Sequence, residues 1–311
     1  MPLGKNPAKA PLMSTSRAAT EFTPTPAEIE DIQRKFDLSY HVPYGVKAAQ
    51  EVGFIGKRVV EIGGHLPPGF VRDHLGAAQW TAVEELSYWR LIDQAEHRET
   101  SALDLSYTKH LAEAKLADVE GNEYLLLDGA FENAPDTLNG LFDVAFSIAC
   151  FEHLSRLPKV LARTYQLLKP GGKLFAMFSP IWSSWDGHHL PEITDASGQK
   201  FYFGKNNPIP PWGHLVLGPS EMFVHLLTKT DPTAAEEMVY YMYHAPNISR
   251  LFAEDYIRYI QMSALKPVIF IPTFHRSVPP KLQAELEHLH PGRKRFSNNG
   301  FLAVLQRPLD S

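Results

Sequence analysis

From Lys57 onward the chain is a succession of short, uninterrupted apolar runs: RVVEIGG, QWTAVEE, EYLLLDGA, FDVAFSIA, KLFAMFSP, PVIFIPTF and FLAVLQRP. A strand with one wet face alternates apolar and polar residues, whereas continuous runs of this length belong to strands buried on both faces. Such strands sit in a parallel sheet, and most gaps between the runs are long enough to hold a connecting helix. The fold class is therefore α/β. The alternation stops between Pro180 and Pro267, where a Trp-, Pro-, Gly- and His-rich stretch precedes helical segments from 219 to about 265. With 25 prolines in 311 residues, many of them between 180 and 282, this region reads as stiffened loops and helices inserted over the strand ends.

The divisions follow. Residues 1–25 are rich in Pro, Ala, Ser, Thr and Lys without apolar periodicity, and read as a disordered tail. Thr25, Pro26 and Glu28 then open a short amphipathic helix with Ile29, Ile32 and Phe36 on one face. Residues 26–180 form the core with this helix, 181–266 an inserted cap, and 267–311 the last strands of the core sheet.

Composition narrows the function. Hydrophobic residues at 44% and charged residues at 21% suit a folded globular chain. A net charge of −5 without a basic block argues against nucleic acid. The lone cysteine, Cys150, cannot form an internal disulfide, which suggests the cytoplasm. No apolar stretch has the length of a membrane span and no signal-peptide core is present, so neither membrane nor export is expected.

Candidate ligand residues fall where the strands end. Glu61-Ile62-Gly63-Gly64 takes an apolar strand into a glycine pair, which lets backbone approach a ligand. Glu84 ends the next strand 21 residues after Gly63, near the spacing at which a carboxylate accepts ribose hydroxyls in nucleotide-binding folds. Asp128, with Gly129 and Ala130 behind it, is placed to accept from an adenine amino group while the two amides reach the ring. FDVAFSIACFEHL then leads through a helix to LLKPGGKLF, read as a helix stop and turn feeding a further strand.

In this order, VVEIGG, AVEE, LLLDGA and FDVAFSIACFEHL…LLKPGGKLF resemble the class I S-adenosylmethionine-dependent methyltransferases over about residues 57–180. The resemblance implies a Rossmann-like seven-stranded sheet, mostly parallel with only the last strand antiparallel. It implies S-adenosylmethionine as cofactor, S-adenosylhomocysteine as product, and contacts from Glu61, Gly63, Gly64, Glu84, Asp128, Gly129, Ala130 and Ile148. One departure stands out: His65 and Pro67 occupy positions where the family's glycine loop has its second and third glycines.

The acceptor pocket is expected in the insertion. Pro180 to Leu190 follows the fifth strand, and ligands of parallel sheets bind at the strands' carboxyl ends. His188 and His189 are the candidate general bases, with Trp182, Trp185, His214 and Tyr241 lining the acceptor site. No metal is expected, because adjacent histidines in extended chain point to opposite sides. The expected activity is methyl transfer to an oxygen, nitrogen or sulfur atom of a small molecule by in-line displacement. A non-catalytic binding protein is the rival, and within enzymes a thioether S-methyltransferase that needs no base. Oligomeric state stays open, a homodimer included.

Overall fold

The computed structural model describes residues 22–88 and 108–309; most of the expected N-terminal tail therefore lies outside the described residues. Ten strands occur among them: β1 (Arg58–Ile62), β2 (Gln79–Glu84), β3 (Thr108–His110), β4 (Tyr124–Asp128), β5 (Phe142–Ile148), β6 (Leu168–Phe178), β7 (Ile193–Thr194), β8 (Lys200–Phe201), β9 (Lys266–His275) and β10 (Asn298–Gln306). Eight form one sheet in the order β3-β4-β2-β1-β5-β6-β10-β9, and β7 and β8 pair separately.

The expected α/β sheet is present with one strand more than the seven expected. Neighbours from β3 to β6 run parallel, with registers such as Val60↔Thr81 and Val60↔Ala145. The last strand, β10, is antiparallel to both β6 and β9, with Leu302 opposite Met177 and Ile271. The extra strand is β3, whose three residues, Thr-Lys-His, carry no apolar signal in the sequence. The LKPGG turn is also corrected. The helix Leu157–Leu167 passes directly into β6, and the glycines form an irregularity inside the strand, with Gly171 at φ +79°. The same glycine freedom that ends helices here lets a strand bulge.

Local rules explain the helices that flank the site. Thr25 caps Pro26–Phe36, its hydroxyl accepting from the Glu28 amide while Glu28 accepts from the Thr25 amide. In Leu157–Leu167 the buried residues Leu157, Val160, Leu161, Thr164 and Leu167 recur at three- and four-residue spacing and cover one face of the sheet. The other face holds Phe54, Phe70, Trp80, Phe146 and Phe175, and Phe22 from the end of the expected tail stacks edge-on against Phe70.

A third cluster stands apart from these two. Trp182, Trp212, Met222, Leu226, Met238, Tyr241 and Met242 pack together with Leu286 and Phe296 from the chain beyond the insertion. Conversely Ala253, Tyr256 and Ile260 join the sheet's own core, with Tyr256 5.0 Å from Phe178. Packing thus crosses the division drawn at 266 in both directions. Strand β9 forms the sheet edge beyond β10, with Val268, Ile271 and Phe274 more than half exposed. Among the described residues no helix is long and apolar enough to cross a membrane.

Candidate functional site

The carboxyl ends of β1, β2, β4 and β5 open on a cavity of about 460 Å³, within the usual range for small-ligand sites. Gly63, Glu84, Gly129, Ala130 and Cys150 line it from the strand ends. Tyr40, Tyr44, Tyr88, His153, His189 and Phe203 contribute from outside the sheet. Parallel strands bring these ends to one level because β1, β2 and β4 are in register, Glu84 lying opposite Asp128.

Two glycines at this rim are required by contacts. At Gly63, φ is +66° and an added Cβ would stand 2.0 Å from Cys150 Sγ; at Gly64 it would stand 2.6 Å from Glu61 Oε1. The amides of Gly63 and Gly129 are already used in the sheet, donating to Val83 O and Glu84 O at 2.9 Å. The expectation that the Gly129 amide reaches an adenine ring is corrected accordingly, since its hydrogen points into the ladder. Glu84 is almost fully buried at the cavity wall, and its Oε1 accepts from the Glu85 amide at 2.9 Å.

Four of the expected cofactor residues stand outside the cavity lining. Glu61 is buried behind the loop, where its Oε2 accepts from Trp80 Nε1 at 2.6 Å and from the Leu66 amide at 3.1 Å. Burial, opposed by these hydrogen bonds and reinforced by the Glu84 charge, pushes its carboxyl up to about 8. Glu61 therefore holds the loop. Gly64 gives room to that carboxyl. Asp128 Oδ1 accepts from the Leu86 amide at 3.1 Å, and Ile148 packs on the aromatic face of the sheet.

The insertion is placed differently from expectation. Of its six singled-out residues only His189 reaches the cavity. His188 is fully buried elsewhere, with Nδ1 accepting from the Leu190 amide at 3.2 Å and Nε2 3.2 Å from Asn207 Nδ2. Trp182, Trp185 and Tyr241 belong to the third apolar cluster. His214 lies against Trp182, donating through Nε2 to the Trp182 carbonyl at 2.8 Å. These five side chains build the cap's interior.

Other cavity residues were legible only in part. FEHL forms a turn ahead of the helix Leu157–Leu167, and it sets Glu152 and His153 at the rim beyond the end of β5. Their position is that of every other strand-end residue, and this spacing was the available signal. Glu152 is fully buried, accepts from the Ser179 amide through Oε1 at 3.3 Å, and is pushed by burial up to about 8. Burial drives His189 down to about 3 and His153 down to about 4. Tyr40 and Tyr44 precede and open a helix of ordinary appearance; burial, with the nearby Glu152, raises the Tyr40 hydroxyl to about 12.

The cavity fits the cofactor implied by the strand order. A buried carboxyl, Glu84, stands at one strand end, where the implied cofactor's ribose would lie, Gly63 keeps a side chain out of the opening, and Ala130 and Phe131 form an apolar part of the wall. Residues 87–174 match a protein family described as a methyltransferase domain. This match overlaps the stretch that carries the resemblance to class I S-adenosylmethionine-dependent methyltransferases, and together with the sheet order and the strand-end cavity it supports methyl transfer as the activity.

No curated protein matches the chain. Among solved structures it is similar to an S-adenosylmethionine-dependent methyltransferase from Mesorhizobium loti, at 13% identity over 88% of this chain and 100% of that one, with a TM-score of 0.44. A Haloferax volcanii putative methyltransferase in complex with the Trm112 activator is 13% identical over 91% of this chain and 95% of that chain, at 0.43. A geranyl diphosphate C-methyltransferase from Streptomyces coelicolor A3(2) is 12% identical over 85% and 75%, at 0.41. Support for methyl transfer does not rest on likenesses this distant.

Proposed function

We propose that this methyltransferase acts on a small molecule that is neutral or cationic, enclosed between the strand ends and the insertion. The observation that carries the reading is the charge of the cavity wall. Glu84, Glu85 and Glu132 line it as carboxylates, with no Lys or Arg among the described lining residues. An anionic acceptor would approach carboxylates and meet no basic side chain among the described lining residues. Tyr40, Tyr44 and Phe203 supply apolar and π surface suited to a ring or an alkylated cation.

The cofactor supplies a methyl group on a sulfonium, an already activated carbon. What the chain contributes is alignment of the acceptor atom, exclusion of water, and a place for the acceptor's proton where there is one. Glu84 would bind the cofactor's ribose, and His189 would meet the acceptor. With its ring nitrogen driven far below neutrality, His189 is a weak general base, so we read its role as orienting the acceptor. A cytoplasmic setting is proposed from the lone, buried Cys150.

The test is a panel of small hydroxyl, amine and thioether compounds scored by S-adenosylhomocysteine release. Turnover confined to neutral or cationic members supports the proposal. Turnover only with anionic compounds, or only with protein or nucleic acid, overturns it.

A further inference from the structure

We infer that Glu152, His153 and His189 form a binding site for one divalent transition-metal cation, open to the acceptor side of the cavity. The three side chains come from two separate loops, the turn after β5 and the segment after β6. One ligand atom from each can be chosen so that all lie within 4.8 Å of one another. All three line the cavity.

The hydrogen bonds fix which nitrogen of each ring carries the hydrogen. His153 Nδ1 is 2.5 Å from the Asn247 carbonyl oxygen, and His189 Nε2 is 2.6 Å from the Pro180 carbonyl oxygen. A carbonyl oxygen only accepts, so each of these nitrogens carries the ring hydrogen; the Tyr88 hydroxyl, 3.0 Å from His153 Nδ1, then donates to the same Asn247 carbonyl at 3.4 Å. The lone pairs are therefore on His153 Nε2 and His189 Nδ1, neither of which has a hydrogen-bond partner among the described residues. Anchoring one imidazole nitrogen on a backbone carbonyl while the other binds metal is the usual outer-shell arrangement of histidine ligands. Two adjacent histidines in one loop were a poor metal pair; two histidines from different loops are not.

Glu152 provides the second, independent observation. Its side chain is fully buried, and its Oε2 has no hydrogen-bond partner among the described residues. Leaving a buried carboxylate oxygen without a partner is costly, and among the described residues no Lys or Arg lines the cavity to offset it. A divalent cation would complete the group.

Two imidazoles and one carboxylate on one side of an ion are the donor set of zinc and ferrous centres that keep open positions. Ligands held at about 2.0–2.2 Å from one ion are at most about 4.4 Å apart, so binding draws the three side chains slightly together. Because all three ligands line the cavity, the open positions would face its interior. An acceptor oxygen bound there would be positioned by the ion, and its pKa lowered. This extension rests on the small-acceptor reading, whereas the metal site itself does not.

The full chain, treated with a chelator and dialysed, is titrated with Zn2+ alone by calorimetry, and with Co2+ while the visible d–d absorption is followed. One ion per chain is expected, with Co2+ bands of a four- or five-coordinate site. His189→Ala and Glu152→Gln should each weaken that site at least about tenfold, as even outer-shell losses do. Circular dichroism reports the fold, and His189→Ala decides alone if Glu152→Gln does not fold. No stoichiometric binding by the parent, or unchanged affinity in folded His189→Ala, overturns the site. Because neither cofactor nor acceptor is present, failure of the acceptor panel leaves this result intact, and the reverse holds too.

Discussion

The sulfur of Cys150 lies 2.0 Å from the point where a Cβ on Gly63 would stand. The glycine after β1 and the cysteine after β5 thus share one volume across two adjacent parallel strands. A mutation at either end is a mutation of the pair.

Gly63→Ala should destabilise the fold by at least about 2 kcal/mol, since it adds left-handed backbone strain to an overpacked contact. Cys150→Ala in the same chain should recover only part of the loss, because the Cys150 Cβ itself lies 2.9 Å from the same point. Urea unfolding of both single variants and the double variant measures the coupling; strictly additive effects would refute shared volume.

Glu84→Ala should weaken S-adenosylmethionine at least tenfold. The lost charge-assisted hydrogen bonding to ribose is worth roughly 1.5–3 kcal/mol. Calorimetry on a variant with parental circular dichroism is the check, and an unchanged dissociation constant sinks the assignment.

Adjacent histidines should separate in a kinetic comparison. His188 is hydrogen-bonded inside the cap, so His188→Asn is expected to lower thermal stability while leaving the turnover number near the parent's. His189→Asn, altering a cavity side chain, should raise the acceptor KM tenfold or more with cofactor affinity unchanged. Equal catalytic defects in both would place His188 at the chemistry after all.

Glu61 makes stability depend on pH. Its carboxyl is held near 8 in the folded chain against 4.5 in a solvated reference, so the folded state binds the proton more tightly. The resulting stabilisation is fully present below pH 4.5 and is lost as pH rises through about 8. Glu61→Gln should flatten the fall of Tm between pH 5 and 8.5, and the remaining slope belongs to Glu152, raised in the same way. A parent whose Tm rises steadily over that range would contradict a neutral Glu61.

How far the sequence could be read depends on what makes each feature. The seven long strands were visible because burial on both faces leaves continuous apolar runs. β3 was not, since three polar residues pair only because β4 offers an edge. Glu84 was legible from spacing along parallel strands, a local property. The cap residues were not: Trp and His side chains serve a core or a pocket equally well, and only the third cluster decides between them. Tyr40 and Tyr44 lie far from the strand ends in sequence, so nothing short of the fold connects them to the cavity.

That third cluster has a kinetic consequence. An apolar unit that closes mainly on itself, with Trp212 fully enclosed and donating through Nε1 to the Phe296 carbonyl at 2.9 Å, should exchange its amides on a different timescale from β1, β5 and β10. Since His189 and Phe203 join this unit to the cavity, the proposed roof above the acceptor should open while the strand ends beneath it stay paired. Admission of the acceptor and integrity of the sheet are then governed by separate free energies, and the rate at which the enzyme trades product for substrate is written in the cap's packing.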